Sequence, residues 1–170
     1  MTNMIYAATV PCFLQILECQ SGLIHKAAAH AHAKNIPVDT ILRARRSPKD
    51  HSFRAHVRLG ANAAVNGVDL LTGRPANLPR EAADDLASLN KLLASAKEYL
   101  MSAKEEHFMG YEGKEFTVNA PGGGASACSA TELVFSFTYP IFYYHAVSVH
   151  SILMQLGVGI QRSEFYNPPG

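Results

Sequence analysis

Four stretches of this chain repeat apolar residues at helical spacing, and each is fenced by a capping residue, a proline or a glycine. Nothing else in the sequence constrains the fold as strongly, because a helix with one apolar stripe must bury it against a partner. In the first stretch Phe13, Ile16, Leu17, Leu23, Ile24, Ala27 and Ala28 keep the 3.6-residue rhythm. Thr9 reads as its N-cap, with Pro11 tolerated in the opening turn and the helix fading near Asn35, before Pro37. The second runs from about Ser52 to Leu71 and stops at Thr72-Gly73, with Phe53, Val57, Ala61, Ala64, Val68 and Leu71 on its core face. Beside that face lies a strip of His56, Gly60, Ala63 and Gly67, which allows either close helix packing or room for a ligand. After a connector over Pro75 to Pro79, the third stretch spans about Arg80 to Glu106. It turns Leu86, Leu89, Leu93, Ala96 and Leu100 inward and leaves a charged outer face that includes Asp84-Asp85 and Glu105-Glu106. The fourth begins at a Ser129 or Thr131 cap and runs to about Gly157, with Pro140 expected to kink it and open the backbone ladder beside Ile141-Phe-Tyr-Tyr-His145.

Two smaller elements fall between these stretches. Asp39 reads as the cap of a short helix holding Ile41 and Leu42, broken at Ser47-Pro48. Glu115 to Val118 and Ala125 to Cys128 read as paired strands around a Pro121-Gly-Gly-Gly124 turn. The glycines are not a phosphate loop, because no G-K-[ST] follows and no strand leads into a helix there. The expected fold is therefore all-α: one domain over residues 1–170, a four-helix bundle with a short extra helix and a small β-hairpin insertion before the last helix.

Composition narrows the classes of function. Lys plus Arg number 15 against 14 acids, a net charge of +1, so no electrostatic field favours nucleic acid or an anionic membrane. The basic cluster Arg43, Arg45, Arg46 and Lys49 is short and reads as a solvated helix end. The apolar runs are interrupted by Pro140, His145 or Gln155, which argues against a transmembrane span, and the N-terminus lacks a signal-peptide pattern. Three cysteines without metal-ligand spacing point to reduced thiols and a cytoplasmic setting.

The candidate site comes from the fourth helix. Val134, Ile141, Phe142, Val149, Ile152, Leu153 and Leu156 fall on one side, His145 sits near the centre of that side, and His150 falls well off it. An imidazole aimed into a core needs a polar partner, a ligand or a reaction. Thr138 shares its face, and Tyr139, Tyr143 and Tyr144 lie close in sequence. A histidine with tyrosines beside an aromatic wall suits acid/base chemistry on a planar, oxygenated small molecule. His56, on the small-residue strip, is the second candidate pocket histidine. His25 sits at the margin of its apolar face, and His30, His32, His51 and His107 sit in polar contexts without an assigned role.

Ile5-Tyr-Ala-Ala-Thr-Val-Pro-Cys-Phe-Leu14, Ile41-Leu-Arg-Ala-Arg45, and Pro121-Gly-Gly-Gly124 through Phe137-x-x-Pro-x-Phe-Tyr-Tyr-His145 resemble domain-of-unknown-function family 1993. The resemblance runs in order over nearly the whole chain. That family is similar to the DinB/YfiT-like helical bundles, many of which hold a divalent metal with three histidines. The resemblance implies a bundle with a central pocket, often dimeric, and no particular reaction. Where an Asp-His pair would stand on the second long helix, this chain has Asn62-Ala63, and four residues after His145 stands Val149. Two of three expected ligands are absent; His56, two turns before Ala63 on the same strip, is a possible substitute, so a divalent metal is possible but disfavoured and no other cofactor is expected.

These readings converge on a small-molecule-binding homodimer, a cofactor-independent isomerase, dehydratase or cyclase. His145 serves as the acid/base with Tyr144 and Tyr143. His56, Thr138, Phe142 and Asn62 hold the ligand. Arg45, within the family-like I-L-x-A-R element, holds a carboxylate or enolate. The alternatives are a metal-dependent DinB-like transferase and a non-enzymatic dimerising module.

Overall fold

In the computed structural model, which describes residues 3–76, 78, 85–111, 113–119 and 123–167, the four periodic stretches form four packed helices. The elements are α1 (Met4–Lys34), α2 (Val38–Arg43), α3 (Phe53–Thr72), α4 (Leu86–Ser102), β1 (Phe116–Asn119), β2 (Ala125–Cys128), α5 (Ala130–Glu132) and α6 (Tyr139–Gln155). A π-helical segment, Leu133–Thr138, joins α5 to α6. Helices α1, α3, α4 and α6 make the bundle, with α3 most extensively packed on α6. Phe13, Leu17, Phe53, Leu89, Leu93 and Phe142 are fully buried where they meet.

The ends of the helices follow capping chemistry. Ser52 accepts from the Ala55 N–H at the start of α3, and Gly73, at φ 64°, ends it. Helix α1 begins earlier than expected: Asn3, not Thr9, is the cap and accepts from the Tyr6 N–H at 3.0 Å. Thr9 lies inside the helix, its hydroxyl donating to the Ile5 carbonyl at 2.7 Å, and Pro11 is interior as well. Asp39 is likewise not a cap but a first-turn residue of α2, paired with Arg43 at 2.7 Å.

Helix α4 is shorter than the charge pattern implies. Asp85 caps it through the Ser88 N–H, and the expected start at Arg80 to Asp84 lies outside the described residues, as do Pro121 and Gly122 of the Pro121-Gly-Gly-Gly124 turn. At its far end Ala103 is extended, and Glu105 and Glu106 open a 3-10 turn. The His107 ring accepts the Lys104 N–H at 2.9 Å, while Glu105 accepts the backbone N–H of Asn3. These contacts hold Glu105 at the start of α1, while Glu106 stays exposed.

The hairpin forms in the expected place, with Phe116 opposite Cys128 and Asn119 opposite Ala125. Ser129 caps α5 in a reciprocal box with Glu132. Pro140 disrupts the last helix as expected, and the disruption takes the form of π-helical widening rather than a simple kink. The proline has no N–H to give the carbonyl four residues back, and the Tyr139 N–H reaches five back to Val134.

Helix α1 has the length and apolarity to cross a membrane, with mean hydropathy 1.2 over its richest window. The sequence reading, fixed on interrupted runs, passed over it. Ile5, Phe13, Leu17 and Ile24 are packed into the bundle core.

Candidate functional site

The small-residue strip on α3 sets the site. A methyl group added at Gly60 would stand 3.4 Å from the Cβ of His145, and one at Gly67 would stand 2.6 Å from the Thr138 side chain. Gly67 is the position where only a glycine lets α6 press so close to α3, while a methyl at Gly60 would make ordinary contact; along this approach His145 meets His56. Their Nδ1 atoms are 2.9 Å apart. His56 is fully buried and His145 nearly so.

Behind His56 stands Asp50, whose Oδ1 lies 3.2 Å from His56 Nε2. Asp50 belongs to the loop between α2 and α3, pinned by a hydrogen bond from the Phe53 N–H to the Ala44 carbonyl at 2.8 Å. Its carboxylate also accepts the His51 N–H at 2.8 Å and pairs with Arg46 Nε at 2.6 Å. Arg46 Nη2 donates to the Tyr144 hydroxyl at 2.9 Å, and the guanidinium lies over the tyrosine ring at 5.1 Å. The Tyr144 hydroxyl is 3.4 Å from Asp50 Oδ1.

The protonation states follow from this geometry. The Arg46 guanidinium holds the Asp50 carboxyl well below the usual carboxylate range. Burial pushes His145 down to about 4, with His56 and His51 adding to the effect, and burial also lowers His56 against the pull of Asp50. Both rings are therefore neutral near pH 7. A carboxylate only accepts, so His56 carries its proton on Nε2 and offers a bare Nδ1. His145 must then carry its proton on Nδ1 and donate to His56. That leaves a lone pair on His145 Nε2, which makes no hydrogen bond among the described residues. The result is a directed chain from Asp50 through His56 to His145.

His145 also lines a groove of about 620 Å³ between α3, the hairpin and the start of α6. Asn62, Ala63 and Asn66 of α3, Asn119 of β1, and Phe137, Thr138 and Ile141 share its wall. This volume falls in the range of small-molecule sites.

Of the sequence candidates, His145, Thr138 and Asn62 line the groove, and His56 and Tyr144 belong to the chain behind it. Phe142 is instead core, fully buried with its ring 4.7 Å from Phe13. Tyr143 points away from His145, packing on Phe142 and Tyr139, and burial raises its hydroxyl pKa. Two helical positions separate it from His145, a rotation of roughly 200° that puts the two side chains on opposite sides. Arg45 does not reach the groove; its Nη1 donates to the Asp50 carbonyl at 2.8 Å and so braces the loop. The basic cluster is exposed, as expected of a solvated helix end, and Arg43, Arg45 and Arg46 also make local contacts. His25 is exposed and takes no part. Ile141 is 48% exposed on the groove wall rather than in the core. His150 is buried despite its off-face position, because the 3-10 turn Arg162–Phe165 folds back over it and its Nε2 donates to the Gln161 carbonyl at 3.1 Å.

Sequence reasoning missed Asp50, chose Arg45 among Arg43, Arg45 and Arg46, and gave no role to His51, whose ring lies 5.7 Å from His56 and 6.1 Å from His145. The only local signal was their place in the break before a histidine-bearing helix.

The class of protein is now defined. A crystal structure of a DinB family member protein from Shewanella denitrificans superposes with a TM-score of 0.85 at 24% identity, covering 96% of this chain and 92% of that one. The fold is that of a DinB-like helical bundle. The chain belongs to the family described as Domain of unknown function (DUF1993), which matches residues 5–166. No curated protein matches it.

The residues do not fit the three-histidine metal site that the resemblance to DinB-like bundles implies. Ala63 has no ligating atom, Val149 is a fully buried hydrocarbon, and no group of three His, Cys, Asp or Glu among the described residues could hold a metal ion. His56 and His145 spend their facing nitrogens on each other.

Proposed function

We propose that this bundle binds a small molecule in the groove and moves a proton on it, with His145 Nε2 as the base. The observation that carries this reading is the 2.9 Å contact between His56 and His145, with Asp50 behind. In a ligand bound beside His145, a C–H bond next to a carbonyl breaks, its electrons form a C=C bond as the carbonyl π pair moves onto oxygen, and the proton goes to Nε2. The imidazolium keeps its Nδ1–H on His56, and Asp50 offsets the charge. Returning the proton to another atom of the ligand is an isomerisation; giving it to a departing hydroxyl is a dehydration. Tyr144 and Arg46 are positioning residues that hold Asp50, and Asn62 and Thr138 offer polar contacts to the ligand. We further propose that two chains pair through the exposed stripe of Ile141, Tyr144, Val147 and Met154 on α6.

His145→Gln and Asp50→Asn test the reading in a screen of small carbonyl and hydroxy compounds for solvent-deuterium exchange, followed by proton NMR. The wild type should exchange at least one C–H position, His145→Gln should lose that exchange while staying folded, and Asp50→Asn should slow it. Exchange unchanged in His145→Gln would refute the assignment. Unfolding of both His145→Gln and His145→Phe would favour a purely structural histidine.

A further inference from the structure

The groove's lining carries a charge signature that the proposed reaction does not use. No lysine or arginine among the described residues lines it. Among the described residues that line it, the one charged group is Asp69, on α3 beyond Gly67. Asp69 is partly buried, makes no ion pair with a described residue, and accepts only a long contact of 3.4 Å from the Ala76 N–H. The remaining polar groups are the amides of Asn62, Asn66 and Asn119 and the hydroxyls of Thr117 and Thr138. His145 is neutral, so among the described lining residues Asp69 is the one source of formal charge.

From these groups we infer that the groove selects an amine: a ligand with a protonated nitrogen held at Asp69 and an apolar body along Leu59, Leu70, Leu133 and Phe137. An ammonium there gains the carboxylate as counter-charge and amide oxygens as acceptors. A carboxylate in its place loses water without meeting a cation among the described lining residues and faces Asp69 directly. Nine residues separate Asp69 from Gly60, the residue opposite His145, which is roughly 13 Å of helix. The amine and the atom nearest His145 therefore belong to opposite ends of an extended molecule. This deepens the proton-transfer reading and rests on it for the role of His145, but the charge preference stands on Asp69 alone.

Hexylamine and heptanoate, matched in body and opposite in charge, test it. Binding is read from the side-chain amide signals of Asn62 and Asn66 in NMR titrations at low ionic strength. Hexylamine should bind about fivefold more tightly than heptanoate. In Asp69→Asn, which keeps an acceptor for the Ala76 N–H, that gap should close. His145→Gln should leave the gap intact, so loss of the base and loss of charge selection can be told apart. Heptanoate binding as tightly as hexylamine, a gap that survives Asp69→Asn, or no shift with either compound at millimolar concentration would each overturn the inference.

Discussion

Acidification should weaken this fold through His145 before it touches any carboxylate pair. The native ring titrates near 4, whereas an unfolded histidine titrates near ~6.5. Between these values the unfolded chain binds more protons than the native one, so stability rises with pH across the window and is lost as pH falls through it. At about pH 5 the unfolded ring is almost fully protonated and the native ring about one-tenth so. Integrating the difference from about pH 7.5 gives a loss of about 2 kcal/mol, growing to about 3 kcal/mol near pH 4. His56, lowered by the same burial, adds in the same direction. Asp50 contributes little in this range: its depressed pKa confers stability present above the unfolded carboxyl value and lost progressively as pH falls from about 5, mostly below about pH 4. Urea unfolding followed by circular dichroism at several pH values measures the slope. His145→Gln should lose visibly less stability over the same range. A wild-type curve flat to within about 0.5 kcal/mol, or a variant with the wild-type slope, would refute the reasoning.

Other outcomes follow from the same geometry. Gly67→Ala places a methyl 2.6 Å from Thr138 and should cost about 1–2 kcal/mol in urea unfolding after the helix-propensity gain, with Thr138→Ala in the double variant restoring most of it. Gly60→Ala, with its new methyl in ordinary contact at 3.4 Å, should be neutral or slightly stabilising in the same assay. Asp50→Asn should shift the His145 midpoint further down, because the carboxylate is a group that raises it; an NMR titration checks this. Elemental analysis of untagged protein after zinc or nickel supplementation should find far less than one metal per chain, and one tightly bound metal per chain would sink the metal-independent account. Light scattering should give the mass of two chains, falling to one in Val147→Glu.

Much of the bundle was legible in the sequence because helix periodicity, caps and breakers are local. Ser52, Gly73 and the hairpin strands are set by short-range chemistry and fell where expected. The start of α1 was misread because Thr9 and Pro11 mark a helix opening on their own, and only Asn3, tied to the end of α4 region through Glu105 and Phe108, shows where the chain turns. His56 and His145 were each legible as a candidate pocket imidazole but not as a pair, since no spacing joins residues of α3 and α6, and Gly60 and Gly67 hinted at a close approach. Asp50 was not, because its loop has no periodicity and reaches His56 only through the tertiary pinning of residues 44 to 53. Choosing Arg45 over Arg46 was a choice between neighbours that only the loop's path decides. Tyr143, by contrast, could have been set aside from helix geometry alone. His150 depended on the return of the tail over α6, which no pattern within α6 encodes.

The central claim is the directed chain from Asp50 through His56 to a free lone pair on His145. A long-range proton–nitrogen correlation spectrum of nitrogen-labelled protein at about pH 7 reads the imidazole tautomers directly. The account predicts two neutral rings: His56 protonated on Nε2, and His145 protonated on Nδ1 with Nε2 bare. Finding His145 protonated on Nε2, or either ring cationic at that pH, would contradict it.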